Sequence, residues 1–189
     1  MDHFKKANKM SKQELKVFSM FTGIGGFEQG LKLSNINHKL IGYSEIDPYA
    51  IEVFENHFPG IKNYGDATKI TGHELPEFDL LCGGFPCQAF STAGHRQGFD
   101  DTRGTLFFDI ARILSLCKPR YLVLENVKGL LTHEEGRTFF RILSVLTEMG
   151  YNIEWKIFNS KYHGVPQSRE RIFITGYLGE QSRPKVLFD

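Results

Sequence analysis

The chain has 189 residues, of which 41% are hydrophobic and 13% aromatic, enough apolar side chain for a real core, and this excludes an intrinsically disordered protein. A length near 150 to 200 residues favours one compact domain over two. Lys and Arg number 23 against 22 for Asp and Glu, so no global positive field marks a nucleic-acid partner and any such contact has to be local.

The opening MDHFKKANKMSKQELK is polar and lysine-rich, with no apolar stretch behind it long enough for a signal peptide or a membrane span. A soluble, cytoplasmic protein is expected, with residues 1–14 frayed and one domain over 15–189. Leu15–Phe21 is a short apolar run ending at a glycine cluster, and Phe27–Asn35 has helical composition, so the chain opens strand, glycine turn, helix. His38–Ile46 predicts a second strand. Pro48–Phe58 follows with proline at a first helical position and apolar residues at helical spacing. Phe78–Phe85 is a third strand, Thr105–Leu116 a helix, and Arg120–Val127 a strand with the near-continuous apolar character of one buried on both faces. Glu135–Gly150 is a long amphipathic helix, and Asn152–Ser160 and Arg171–Leu178 are closing strands. Alternating strands and helices imply an α/β fold, an open and largely parallel sheet with helices on both sides. In such sheets ligands bind beyond the carboxyl ends of the strands, where strand order reverses, so the residues just after each strand are the candidates.

After the first strand, Gly23, Gly25 and Gly26 let the backbone turn tightly and approach a ligand. Their spacing departs from G-x-G-x-x-G, which argues against pyrophosphate binding. Glu45, about 20 residues on, is placed to accept from both hydroxyls of a ribose, and Asp66 in YGDAT to take an adenine amino group; for each, a turn or helix-cap role is the alternative. With the glycine turn they suggest a nucleoside-type cofactor. Of three cysteines, an odd number that argues for reduced thiols, Cys82 lies inside a strand and Cys117 on a helix, and both read as small core residues. Cys87, after Gly83-Gly84-Phe85-Pro86, faces the cleft as a candidate nucleophile whose thiolate Arg96 or Arg103 would favour. The spacing of Cys82 and Cys87 lacks a second pair of ligands, so no metal is expected. Glu125-Asn126-Val127 closes an apolar strand and carries a carboxylate into the cleft, where it suits holding a ring nitrogen; a capping Glu-Asn pair is the plainer use. Arg169 and Arg171, two apart, point to one side and Glu170 to the other, as fits either a phosphate or base oxygen or a solvated strand edge.

Together FTGIGGFEQGL, SEIDP, YGDAT, GGFPCQAFSTAG, RGTLFFDIARIL, ENVKGL and VPQSRERIFITG, in this order over Lys16 to Gly176, make the chain resemble the cytosine carbon-5 DNA methyltransferases. The resemblance implies a Rossmann-like S-adenosylmethionine methyltransferase fold, a mixed sheet whose last hairpin strand is antiparallel. It also implies restriction-modification chemistry on double-stranded DNA through a covalent cysteine adduct and base flipping, without membrane or metal. On the same grounds Cys87, Glu125, Arg169 and Arg171 are the implied catalytic residues. Phe21, Gly23, Gly25, Gly26, Glu45, Ile46, Asp66, Ala67 and Leu106 are the implied S-adenosylmethionine contacts. Phe85, Pro86, Gln88, Ser91 and Asn126 are implied to meet the base, under a loop from Gln88 to Gly104, with Gln167 structural. Two departures stand out. Ser19 occupies a place where the family usually has aspartate, and the family continues past PQSRERIFITG into a target-recognition region and a last motif, whereas this chain stops at Asp189. A truncated form, one subunit of a split enzyme whose partner supplies the rest, and a degenerate gene product are the alternatives, and weak methylation by the chain alone is expected. An RNA cytosine methyltransferase and a non-catalytic cofactor-binding subunit are the rival functions.

Overall fold

The structure is a computed structural model that describes residues 14–86 and 106–179. Its elements are β1 (Leu15–Met20), α1 (Gly26–Leu33), β2 (His38–Ser44), α2 (Pro48–His57), a 3-10 turn (Ala67–Lys69), β3 (Leu80–Gly84), α3 (Leu106–Cys117), β4 (Tyr121–Val127), α4 (Arg137–Glu148), β5 (Tyr151–Asn159) and β6 (Glu170–Leu178). β1 ends one residue short of the expected strand because Phe21 takes φ 52°, a left-handed conformation that no strand accommodates. α2 begins as its sequence suggests. Asp47 accepts from the N–H groups of Tyr49 and Ala50 at 2.8 and 3.2 Å, and Pro48 sits in the first turn.

The six strands run in the order β2-β1-β3-β4-β6-β5. β1 pairs in parallel with β2 and β3, and β3 with β4, whereas β6 runs antiparallel to both β4 and β5. The chain therefore steps outward from β1 to β2, then returns to the other side of β1 as β3, which places the switch point between the ends of β1 and β3. The antiparallel β6 follows from its connection: a hairpin from β5 has no crossover helix to reverse the chain.

One face of the sheet carries Phe18, Met20, Leu81, Leu122 and Leu124 against α3 and α4, and this is the main core. α4 buries Thr138, Phe139, Ile142 and Leu146, the stripe that its 3.6-residue period dictates. The opposite face carries Val17, Leu80 and Cys82 beneath Phe27 and Leu31 of α1, and Tyr43 under Phe54 of α2 with ring centroids 4.2 Å apart. The structure corrects the expectation for β4. Leu122, Leu124 and Asn126 are buried but Tyr121, Val123 and Glu125 are only half-buried, although Phe27 of α1 reaches this face and its ring lies 6.3 Å from that of Phe173. On this face Val123 and Phe173 wall a pocket of about 400 Å³.

β3 can lie against the end of β1 only because Gly83 has no side chain: a Cβ there would stand 2.5 Å from the Met20 carbonyl oxygen. Gly83→Ala is expected to cost about 2 kcal/mol or more, the range of overpacking, while Gly30→Ala in α1, where a Cβ meets nothing, stabilises by up to about 1 kcal/mol. Urea denaturation of the two variants beside the parent measures both.

Candidate functional site

At the switch point the backbone turns through Phe21, Gly23 (φ 56°) and Gly25 (φ 92°) into α1. Gly25 is demanded by packing, because a Cβ would come within 2.7 Å of the Phe58 ring, whereas Gly23 and Gly26 face open space and present bare main chain. The hydroxyl of buried Thr22 donates to Ser19 Oγ at 3.1 Å and ties the turn to the strand beneath it. Glu45, just past β2, lies across from the turn. Its Oε2 accepts the Gly23 N–H at 2.8 Å and its Oε1 accepts those of Ile46 and Asp47 at 2.8 and 3.0 Å. Ile46, next to Glu45 in the sequence, is 69% exposed, Ile24 of the turn is exposed too, and Phe21 is half-buried against the core.

Asp66 caps the 3-10 turn, its Oδ1 accepting from the N–H and hydroxyl of Thr68 at 3.0 and 2.8 Å, which holds the carboxyl below its usual value. The cap role weighed for Asp66 is thus present, and its Oδ2 lies 3.6 Å from Lys69 Nζ. Ala67 beside it is buried. Behind the turn, Arg112 of α3 donates to the carbonyls of Ile70 and Ala67, the latter at 2.9 Å, and to Asp109 at 2.8 Å. This clamp joins the turn to the helix that starts at Leu106. The sequence contained Arg112, but a side chain that bonds main-chain carbonyls leaves no periodic signal.

The second cluster forms where β3 and β4 end and β6 begins. Glu125 Oε1 is 2.7 Å from Arg171 Nε, both half-buried, and Arg171 also donates to the Glu170 carbonyl at 2.8 Å. Gly84 is the register partner of Glu125, and a Cβ on it would sit 2.9 Å from Glu125 Oε2, so the carboxyl occupies the space that the missing side chain leaves. Asn126 points to the other face, is buried, and donates from Nδ2 to the Phe85 carbonyl at 2.8 Å while its Oδ1 accepts the Val127 N–H. It thereby fastens the segment that runs through Phe85 and Pro86. Cys87, Gln88, Ser91, Arg96 and Arg103 lie outside the described residues. Burial raises the pKa of the other two thiols, pushing Cys82 far up, with its Sγ 3.9 Å from the Phe18 carbonyl, and lifting half-buried Cys117.

Arg169 and Arg171 line one pocket with Val123, Phe158, Phe173 and Thr175, while Glu170 turns away to Lys128 Nζ at 2.8 Å, the alternation that their spacing requires. Ser160 supports the arginines: its Oγ accepts the Arg169 N–H at 3.2 Å and donates to the Gln167 carbonyl. Among the described residues no group of three His, Cys, Asp or Glu side chains gathers at metal-binding distance, and no helix is long and apolar enough to cross a membrane.

A mostly parallel sheet with an antiparallel β6 beside β4, bare backbone after β1 and a carboxylate after β2 is the Rossmann-like fold of S-adenosylmethionine methyltransferases. The S. pombe Dnmt2 methyltransferase superposes with a TM-score of 0.76 at 25% identity, over 92% of this chain and 54% of that one. A putative DNA modification methyltransferase encoded within an E. coli prophage shares the fold, with a TM-score of 0.69 at 24% identity over 87% of this chain and 47% of its own. The family model described as C-5 cytosine-specific DNA methylase matches residues 15–187, and the chain belongs to that family. The type II methyltransferase M.NlaIV of Neisseria lactamica is 46% identical over 188 residues, 94% of this chain and 44% of that protein. The orphan methyltransferase M.SPRI of Bacillus phage SPR is 48% identical over 165 residues, 86% of this chain and 38% of its own length. The chain thus spans less than half the length of these relatives.

Beneath the glycine turn lies a group that helical periodicity gave no reason to expect inside. Glu28 of α1 is 1% exposed and neither carboxyl oxygen has a hydrogen-bond partner. Desolvation raises its pKa above the ordinary 4.5; the nearby Ser19 hydroxyl and the charge of His38 offset this only in part, and Cys82 is its other titratable neighbour. The folded chain therefore keeps a proton that the unfolded chain releases. From this group stability falls as pH rises from about 4.5 through the raised value, then levels off. Glu28→Gln should remove that fall, so the stability difference between variant and parent, followed by thermal melts from pH 4 to 8, grows with pH in favour of the variant.

Proposed function

We propose that the protein transfers a methyl group from S-adenosylmethionine to carbon 5 of cytosine in duplex DNA. The observation that carries this reading is the convergence at one sheet edge of Glu125, paired with Arg171, and the Phe85-Pro86 segment held by Asn126, since Cys87 is the next residue in the chain. Membership in the C-5 cytosine-specific family and the names of relatives such as M.NlaIV support the choice of reaction.

The first cluster fits the cofactor. Bare main chain at Gly23 and Gly26 admits a close approach, Glu45 can accept from ribose hydroxyls at the spare lone pairs of its carboxylate, and Phe21, Ile46 and Leu106 offer apolar contacts to a purine. Asp66 and Ala67 sit at the adjoining turn. When bound, S-adenosylmethionine supplies a methyl group activated by its sulfonium. Carbon 5 of cytosine is too weak a nucleophile to accept it unaided, so the Cys87 thiolate adds to carbon 6. Glu125 bonds ring nitrogen 3 and the amino group, which favours attack at carbon 6 and stabilises the resulting enamine, whose carbon 5 is nucleophilic. Loss of the carbon-5 proton and expulsion of Cys87 then restore both double bond and thiolate. The free lone pair of the Phe85 carbonyl is available to the base's amino group, and Arg169 and Arg171 to its oxygen and to phosphates. Because the ring starts stacked in a duplex it must be flipped outward, at a cost of a few kcal/mol.

Tritiated methyl transfer to duplex DNA, with transfer RNA in parallel, tests the reaction. Label is expected in DNA, lost with Cys87→Ser and reduced about a hundredfold or more with Glu125→Gln. The parent also forms a covalent complex with DNA carrying 5-fluorocytosine, and Cys87→Ser does not. Labelling of RNA alone overturns the DNA assignment; trapping that is indifferent to Cys87→Ser overturns the mechanism.

A further inference from the structure

We infer that Asn63 is a positioning residue for the cofactor, fixing Glu45 and Asp66 relative to each other. The inference rests on the reading that Glu45 meets the ribose, and deepens it.

β1 and β2 stop pairing at Met20 and Ser44, so Glu45 is the first residue of this edge whose main-chain groups have no strand to bond. Asn63 takes the place of that strand. Its Nδ2 donates to the Glu45 carbonyl at 3.1 Å and its Oδ1 accepts the Glu45 N–H at 3.3 Å, the two bonds that a neighbouring backbone would make. A side-chain amide is suited to this because it carries a donor and an acceptor on one planar group. The same Oδ1 accepts the Gly65 N–H at 2.8 Å, which ties the residue before Asp66 to Glu45. The flanking chain prepares the contact: the Tyr43 N–H donates to the Lys62 carbonyl at 3.0 Å, the Tyr64 N–H to the Tyr43 carbonyl at 2.7 Å, and Ser44 Oγ to the Gly65 carbonyl at 2.6 Å.

All three side-chain bonds of Asn63 go to residues that flank the cleft, and none goes to the core. Its effect is to hold the Glu45 backbone so that the carboxylate reaches Gly23, and to set the distance from there to Asp66. Without it, the main chain of Glu45 is left to water and the carboxylate loses its fixed aim at the ribose hydroxyls.

Calorimetric titration of the full chain with S-adenosylhomocysteine and with its 2′,3′-dideoxy counterpart separates positioning from simple folding. The parent should prefer the ligand with hydroxyls. Asn63→Ala should weaken S-adenosylhomocysteine about tenfold and the dideoxy ligand less than about twofold, so the preference collapses. Combined with Glu45→Ala it should cost no more than Glu45→Ala alone. Should Asn63→Ala not fold, Asn63→Asp, which keeps the acceptor and loses the donor, is expected to lower the preference in the same direction, about threefold. A parent with no preference between the ligands overturns the Glu45 reading and this inference with it. A parent that prefers hydroxyls, with either Asn63 variant unchanged or weakened equally for both ligands, overturns the role of Asn63 alone.

Discussion

Everything near the cleft depends on two parallel strands leaving the sheet at the same level and in contact. The Met20 carbonyl and the Gly83 α-carbon meet so closely that no side chain fits between them, and this fixes where the glycine turn and the Phe85-Pro86 segment emerge. One step further along, Gly84 leaves room for the Glu125 carboxyl. The consecutive glycines thus serve different neighbours: Gly83 lets two backbones touch, and Gly84 lets a functional side chain fill the space that its own would have taken.

Around this edge the polar side chains bond mainly to main chain, not to one another. Glu45 gathers three N–H groups, Asn63 imitates a strand, Arg112 grips two carbonyls and Asn126 holds one. Such bonds fix loops that have no ladder of their own, and each is worth about a kcal/mol in stability but more in the precision of the group it holds. Glu125 instead pairs with a charged side chain, Arg171, which compensates the partly buried carboxylate.

How much of this could be read beforehand differs by residue. The strands and helices follow from apolar periodicity and were placed nearly as expected, and the glycines of the first turn marked its position. Periodicity says where a strand is and not which way it runs, so the antiparallel β6 was legible through the family resemblance and not from residue spacing. The apolar run of β4 suggested two covered faces, but Val123 on one of them borders a pocket, which a count of apolar residues does not register. Asp66 shows how one residue can satisfy the plainer expectation, a cap, at the very place that the resemblance assigns to the cofactor. Glu28 defeated helical patterning outright, because a carboxylate near a helix start normally faces solvent. Asn63 and Arg112 carried no signal at all, since a single polar residue that bonds distant main chain has neither period nor fixed spacing.

The reversed direction of β6 has an architectural consequence. Parallel strands deliver to the cleft their last residues, as β4 does with Glu125, and the loops beyond them. A strand entering from the cleft side delivers its first residues instead, and Arg171, the second residue of β6, is held on one flank by Val127 and on the other by Phe158. The guanidinium beside Glu125 is therefore anchored by two strand partners and does not rely on the connection that precedes it.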